Sequence, residues 1–432
     1  MAKSRLVHLT YENFSYKWAF NPMNAYFSIQ HRNDMKALVK RQYLLPFFLI
    51  SSLFFMWGAA HSILDVLNKH FQQVLPGMTH AHSSMVQVMF YLGYFVMAIP
   101  AGIIIDRKGY RTGVVTGLCL YGLGALMFWP GAQMMSFDFF LFSLFIIACG
   151  LVFLETAANP YVTELGDSAT APSRLNLAQA FNGAGCICGP LLGGLILFSE
   201  DATQESIAFP YVIMAIVALL VAVIFSRVSL PEIPQEEEKN EDSHQSHTLK
   251  TLLHNKVFLF GLFALLSYEV SEISINSFFI NYVSDTGWMT PRDASIALSF
   301  GGLGLFMLGR VLGSSIMQYV GSEKVLRVCA VATFITTFIV ILGLGVFSVA
   351  SLILTYVFES IMFPTIFALS LRKLGPLTKR ASSLLMMTPV GGAIGPLFMG
   401  LVADASNMSV AFVVPLIGFA NVVAYAFFLK KV

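Results

Sequence analysis

Asp65, Glu155, Glu269, Glu272 and Glu359 stand inside long apolar stretches of this 432-residue chain. A charged side chain at the centre of a bilayer costs at least ~2.5–3.5 kcal/mol, so such acids are retained for function more often than for packing. Glu155 precedes the charged end of its stretch by about nine residues, roughly 13 Å of helix at 1.5 Å per residue, which puts it near mid-membrane. Its packing alternative is a protonated carboxyl bonded to a backbone carbonyl. Asp65 sits towards the outer end of the first stretch, where a wetted helix end is an equal reading. Glu269 and Glu272 stand at i and i+3 and share one helix face. Two acids on one face cannot cheaply both ionise in a dry cavity, so one stays protonated or contacts a ligand. Glu359 is again near mid-depth.

Around these acids lie groups that read hydroxyls. Gln179, Asn182 and Asn276 carry amides that both donate and accept. His61, one turn before Asp65, is placed to tune that carboxyl, although a lone pore-lining polar residue is the commoner case. Trp57, Phe181, Phe278 and Phe279 offer flat faces for a sugar ring, against the alternative that most aromatics here face lipid or packing partners. Arg310, near the inner end of its stretch, is expected to snorkel or pair with a loop acid.

The elements that must hold these residues follow from composition. Hydrophobic residues make up 56% of the chain and charged ones 12%, against about 25% charged in soluble proteins. The chain therefore reads as an all-α polytopic membrane protein. A window of about 20 apolar residues finds twelve spans, approximately 44–67, 84–105, 112–131, 137–162, 175–198, 208–228, 257–283, 294–318, 325–347, 349–371, 381–403 and 409–429. The long hydrophilic break at 229–256, with Pro231, Pro234, Glu236, Glu237, Glu238 and His244, reads as a solvated linker. The expected organisation is a polar tail over 1–40, a six-helix bundle over 41–228, the linker, and a second six-helix bundle over 257–432.

Orientation follows from Lys and Arg at the span ends. With the N-terminus inside, Arg107, Lys108, Arg111, Arg174, Arg227, Lys324, Arg327, Arg372, Lys373, Lys379, Arg380, Lys430 and Lys431 fall on the cytoplasmic side, and Lys69 and Arg292 on the other. Both termini are expected in the cytoplasm, with the chain in a plasma (inner) membrane. The tail lacks the apolar core and small-residue cleavage site of a signal peptide. Met35, followed by Lys36, Lys40 and Arg41, is a second candidate start. Cys119, Cys149, Cys186, Cys188 and Cys329 lie in or beside apolar stretches without His partners, so neither a disulfide framework nor a metal site is expected. A formal charge of +2 points to no nucleic-acid partner.

The two halves resemble each other. Glu155 and Pro160 of span 4 recur as Glu359 and Pro364 of span 10. Arg174, Gly185, Gly189, Pro190 and Gly194 recur at one constant offset as Arg380, Gly391, Gly395, Pro396 and Gly400. Gly93, Phe95 and Gly102 match Gly304, Phe306 and Gly313. Parallel repeats of this kind place a substrate site between the halves near mid-membrane.

Between spans 2 and 3, Gly102, Asp106, Arg107, Gly109 and Arg111 form G-x-x-x-D-R-x-G-x-R. A positive-inside anchor explains the basic residues but not the glycines and the Asp at fixed spacing. The segment resembles the cytoplasmic gating signature of the major facilitator superfamily, which implies two six-helix bundles rocking about a central cavity. The expected role of Asp106 is a charge partner for a neighbouring helix end, latching that side in one state. The run from Leu154 to Tyr161, followed by Arg174 to Asn182, resembles the fucose permease branch of that superfamily, and the similarity extends from about Leu45 to the C-terminus. It implies proton-coupling roles for Asp65 and Glu155 and sugar contacts for Gln179 and Asn182. The chain departs from that branch at His61 and Ser62, where the branch has Asn. Glu272 to Phe278 is similar instead to the glucose/galactose branch, which typically has Gln where Glu155 stands.

Missing motifs narrow the mechanism. No G-x-x-x-x-G-K-[ST] phosphate loop, H-E-x-x-H or G-x-S-x-G occurs, so neither an ATP-driven pump nor an intramembrane hydrolase is expected, and no ATPase subunit is implied. Scattered acids without cation rings disfavour a channel. The expectation is a non-enzymatic sugar:proton symporter in a lipid bilayer, with the proton as coupling ion and no cofactor. Gln179, Asn182, Glu272, Asn276, Glu359 and His61 line its substrate site. L-Fucose is the expected sugar, glucose/galactose or N-acetylhexosamine the alternatives, and a membrane sugar sensor the rival from another class.

Overall fold

The computed structural model describes Val39 and residues 41–165, 171–199, 204–228, 252, 254–285, 287–372, 374, 377, 381 and 384–431. The N-terminal tail, nearly all of the linker, and Lys373, Lys379 and Arg380 lie outside the described residues. Among the described residues, twelve helices are long and apolar enough to cross a membrane. They are α1 (Arg41–Val74), α2 (His80–Ile105), α3 (Arg107–Met134), α4 (Phe137–Asn159), α5 (Leu177–Leu197), α6 (Ala208–Arg227), α7 (Lys256–Asp285), α8 (Pro291–Met317), α9 (Ser322–Ile341), α10 (Val346–Ser370), α11 (Thr388–Ala405) and α12 (Met408–Phe428). No strand occurs among the described residues, as expected where every backbone polar group must be satisfied within its own segment.

Short polar residues punctuate the helices. Thr79, Ser136, Thr290 and Asn407 cap the starts of α2, α4, α8 and α12 with side-chain oxygens. Gly109, at φ +82°, breaks the helical path in the first turn of α3, in a conformation that favours glycine. Helix α10 breaks at Ser360–Ile361, one residue after Glu359, and α8 contains a π-helical stretch over Leu298–Gly304.

Helix α1 runs about seven residues beyond its expected end, and this changes the position of Asp65. Asp65 lies nine residues before the last residue of the helix and is 4% exposed, so it is not a wetted helix end. The hydropathy window stopped early because Asn68, Lys69 and His70 are polar. All three are nevertheless buried, against α7 and neighbouring helices.

Within the first bundle α1 packs on α5, α2 on α4 and α3 on α6; within the second, α7 packs on α11 and α12, and α9 on α10 and α12. The bundles meet along α1/α7, α2/α11 and α5/α8. The repeat is visible in this packing. A Cβ added at Gly185 would strike the Phe55 carbonyl of α1, and one at Gly391 would come within 2.9 Å of the Leu266 carbonyl of α7. Gly189 is pressed on Ala59 and Ser62, and Gly395 on Val270 and Ser274. The matching glycines of α2 and α8 do not pack alike: Gly93 abuts Phe145 and Ala148, whereas Gly304 lies in the π-helical stretch beside its own Ser299.

Candidate functional site

The acids converge on the seam between the bundles. Asp65 on α1 and Glu272 on α7 lie within electrostatic reach of each other, as do Glu155 on α4 and Glu269 on α7. Asp65 accepts a hydrogen bond from Gln87 Nε2 at 3.1 Å. His61 does not contact Asp65: its Nε2 lies 2.6 Å from the Tyr91 hydroxyl, and its ring meets Phe90 and Tyr91 edge-on. The partner of the α1 carboxyl is thus Gln87 of α2, 22 residues further along the chain. Tyr91 also fills the space that a Cβ on Gly392 of α11 would need, so it stands at the bundle seam.

Glu155 and Glu272 are half-buried and Glu269 is 7% exposed. Glu359 differs from all of them. It is fully buried, and both carboxyl oxygens lack a hydrogen-bond partner. It is expected to line the site, and in this conformation solvent does not reach it. Arg310 of α8 reaches Glu269 and Glu272 electrostatically and donates from Nε to the Ser360 carbonyl at 3.2 Å. Its guanidinium carbon sits 4.8 Å from the Phe306 ring centre. The expected loop partner is replaced by the carbonyl that the α10 break exposes.

The amides divide by environment. Gln179 is half-buried on α5. Asn182 donates from Nδ2 to the Phe54 carbonyl of α1 at 3.3 Å and accepts from the Cys186 thiol at 3.8 Å, so its side chain ties α5 to α1. Asn276 is 6% exposed and its Oδ1 is buried without a partner. The expected ring-stacking aromatics separate likewise. Phe278 and Phe279 are wholly buried, against His80 and Tyr356 respectively, and offer no face to a ligand. Trp57 and Phe181 remain partly exposed.

In the loop motif, Gly102 has open space where its Cβ would be, Gly109 breaks the helical path, and Arg107 is exposed. Arg111 donates to the Phe225 carbonyl at 3.1 Å and to the Ser226 carbonyl, capping the end of α6. The Asp106 side chain lies outside the described residues.

Polar contacts join the bundles at the face opposite the linker, here called the far face. Lys69 Nζ of α1 meets Asp285 Oδ1 of α7 at 2.8 Å, and Asn68 Nδ2 donates to Ser277 O and Oγ at 2.8 and 2.9 Å. Asn281 donates to Gln72. The Asp404 carboxylate of α11 accepts from the backbone N–H groups of His80 and Ala81, at 2.8 and 2.9 Å, and pairs with His80 Nδ1 at 2.8 Å. That arrangement places an anion on the first turn of α2, where free N–H groups point outward. Two repeat-related glycines let the helices close: Gly194 of α5 is pressed on Ser295 of α8, and Gly400 of α11 on Ala81, where a Cβ would lie 2.7 Å from Cα. Towards the linker the seam loosens; Glu155, Gln179 and Glu272 are half-exposed and Arg310 is exposed. The candidate site is the polar seam that these far-face contacts close off at one end.

Sequence reasoning did not find Gln87, Tyr91, Arg310 or the Lys69–Asp285 and His80–Asp404 pairs as parts of this arrangement. Gln87, as an amide inside an apolar span, carried the same signal as Gln179 and could have been found. The paired charges could not, because each partner lies more than two hundred residues away in the chain.

The pattern of the Major Facilitator Superfamily matches residues 43–387. The chain is 35% identical over 419 residues to an L-fucose-proton symporter of Escherichia coli K12, covering 91% of this chain and 95% of the relative. It is 34% identical over 386 residues to a glucose/galactose transporter of Brucella abortus strain 2308, covering 87% of this chain and 92% of the relative. A crystal structure of FucP, a major facilitator transporter in the outward conformation, superposes with a TM-score of 0.66 at 34% identity over 90% of this chain and 99% of that one. These relatives are transporters and not enzymes. With twelve spans, a repeat that seats α5 and α11 alike in the two halves and a matching pattern over most of its length, the chain belongs to the major facilitator superfamily, in the fucose permease and glucose/galactose transporter branch.

Proposed function

We propose that this protein is an alternating-access symporter that brings a neutral monosaccharide into the cell with a proton. Membership of the branch supports sugar transport. Proton coupling rests on one observation: carboxyls from both bundles face one another across a cavity shut at one end, with Asp65 against Glu272 and Glu155 against Glu269. Acids so placed change protonation as the cavity is wetted or dried, which links proton binding to the rocking of the bundles. In this reading Asp65, beside the far-face seal, receives the proton from outside, and Glu155 binds and releases it in the cavity. Gln179 and Glu272 hold sugar hydroxyls, and Asn276 offers its free Oδ1 to the same ligand. Asn182 positions α5, and His61 positions Tyr91. The motif at Gly102, Asp106, Arg107, Gly109 and Arg111 works at the opposite, cytoplasmic gate.

The orientation follows from the basic residues. Arg107, Lys108, Arg111, Arg227, Lys324, Arg327, Arg372 and Lys430 lie at the linker face, against Lys69 and Arg292 at the far face. In this reading, with the linker and both termini in the cytoplasm, the sealed far face is the outer side and the seam opens inward, opposite to the conformation named for FucP.

L-Fucose is the substrate we propose, because Glu155 and the run containing Gln179 and Asn182 match the fucose branch. Glu272 favours glucose or galactose as a second reading, since it is the carboxyl of α7 that remains open to the cavity. L-Fucose lacks the 6-hydroxyl of galactose, and a site built to bond that hydroxyl would leave a buried polar group unpaired, a loss of about 1–3 kcal/mol. Proteoliposomes with an inward pH gradient should accumulate labelled L-fucose. Weak competition by excess D-galactose and D-glucose supports the first reading. No fucose uptake, with galactose or glucose accumulating instead, establishes the second.

A further inference from the structure

Helices α9 and α12 leave a groove of about 650 Å³ on the outside of the second bundle, away from the central cavity. Val328, Ala332 and Ile335 form one wall at helical spacing, and Phe427 of α12 stands opposite. The mouth of the groove, at the linker face, carries Lys324 and Arg327. The chemistry of its two ends is therefore different: apolar along the membrane and cationic at the membrane surface.

Two details show that the cationic end is not satisfied by the protein. Arg327 Nη1 is buried and has no hydrogen-bond partner, although a guanidinium donor shut away from water needs an acceptor. Glu323, the acid adjacent to Lys324, is already engaged by Arg372 Nη1. Lys430, exposed just past the end of α12, adds a third positive charge at the same face. From Arg327 to Ile335 the wall extends about 12 Å, most of one ~15 Å hydrocarbon leaflet.

We propose that this groove binds one phospholipid with an anionic headgroup, its phosphate held by Arg327 and Lys324 and one acyl chain lying along Val328, Ala332 and Ile335. Lys324 and Arg327, both in the lining of the groove, supply the charge-assisted donors that a phosphate at its mouth needs. The headgroup charge matches the basic rim, as it does for basic pockets between membrane helices at the cytoplasmic side. The inference is independent of which sugar the protein carries, because none of the residues lining the groove belongs to the proposed sugar site.

The test reads bound lipid rather than transport. Detergent-purified protein is titrated with phosphatidylglycerol or phosphatidylcholine, and retained lipid is counted by native mass spectrometry. One phosphatidylglycerol should be retained about tenfold more strongly than phosphatidylcholine. The double variant Lys324→Gln/Arg327→Gln should lose that preference. Ala332→Trp, which fills the groove without touching the charges, should displace the lipid while the protein still runs as a monodisperse peak. Equal retention of the two lipids, or a preference unchanged in either variant, overturns the proposal. Displacement of the bound phosphatidylglycerol by millimolar inorganic phosphate also overturns it, in favour of a site for a free anion.

Discussion

Glu155 and Glu359 occupy matching places in the two halves, each five residues before a proline in the equivalent span, yet their surroundings are opposite. Glu155 is half-exposed at the seam between the bundles, within reach of Glu269 on the other side. Glu359 is sealed beside a helix break, with neither oxygen bonded. The glycines tell the contrary story. Gly185 and Gly391 seat α5 and α11 on α1 and α7 in the same way, and Gly194 and Gly400 each let their helix touch the opposite bundle. Duplication has kept the packing rules of the two halves alike while their chemistry has diverged. Close backbone approach tolerates only small residues whichever half it occurs in. A carboxyl, in contrast, depends on the water that reaches it.

The largest effect is expected where the symmetric packing is broken. Gly400→Val puts atoms into the Ala81 backbone and Gly194→Val into the Ser295 side chain, so both oppose closure of the far face. Overpacking costs about 1–3 kcal/mol, or about five- to 150-fold in the balance of the two states. Sugar exchange should fall, and single cysteines placed in the cavity should become reactive from the far side. Gly400→Val should be the more severe, because backbone yields less than a serine hydroxyl. Far-side reactivity equal to that of the parent in both variants would show that the closed face does not depend on these contacts.

Glu155→Gln comes next, and it tests the asymmetric half of the comparison. It should reduce pH-gradient-driven sugar accumulation to the equilibration level while sparing exchange, because only the coupled direction needs the proton to leave. Gradient-driven accumulation at the parent level would remove Glu155 from the coupling scheme.

Asp404→Asn should act in the same direction as Gly400→Val but more weakly. The carboxylate and its His80 partner are 25% and 28% exposed, so losing the charge is worth about 1 kcal/mol, roughly fivefold in favour of the state open at the far face. Cysteine reactivity as a function of time measures it, and a shift in the opposite sense would contradict the latch. The smallest effect is expected for Glu359→Gln. No bond to the Glu359 oxygens exists to be lost, so exchange should remain within about threefold of the parent, ~0.7 kcal/mol. A collapse of exchange as deep as the loss of accumulation in Glu155→Gln would mean that the sealed carboxyl opens during the cycle and is as much a part of coupling as its counterpart.

Much of this molecule was legible in its residues. Twelve spans, the repeat and the depth of Glu155 follow from hydropathy and spacing, because a bilayer imposes one element type and one length on every crossing. The gate motif and the similarity of Leu154–Tyr161 to known transporters were likewise local patterns in the chain. What local patterns do not hold is the pairing of distant groups. Lys69 with Asp285, His80 with Asp404, Arg310 with the Ser360 carbonyl and Gln87 with Asp65 are decided by which helices become neighbours. The same holds for exposure: the sequence gives Glu155 and Glu359 equal depth, and only the tertiary arrangement decides that water reaches one and not the other. Depth along a helix is set by counting residues, whereas rotation about the helix and the company it meets are set by packing between bundles.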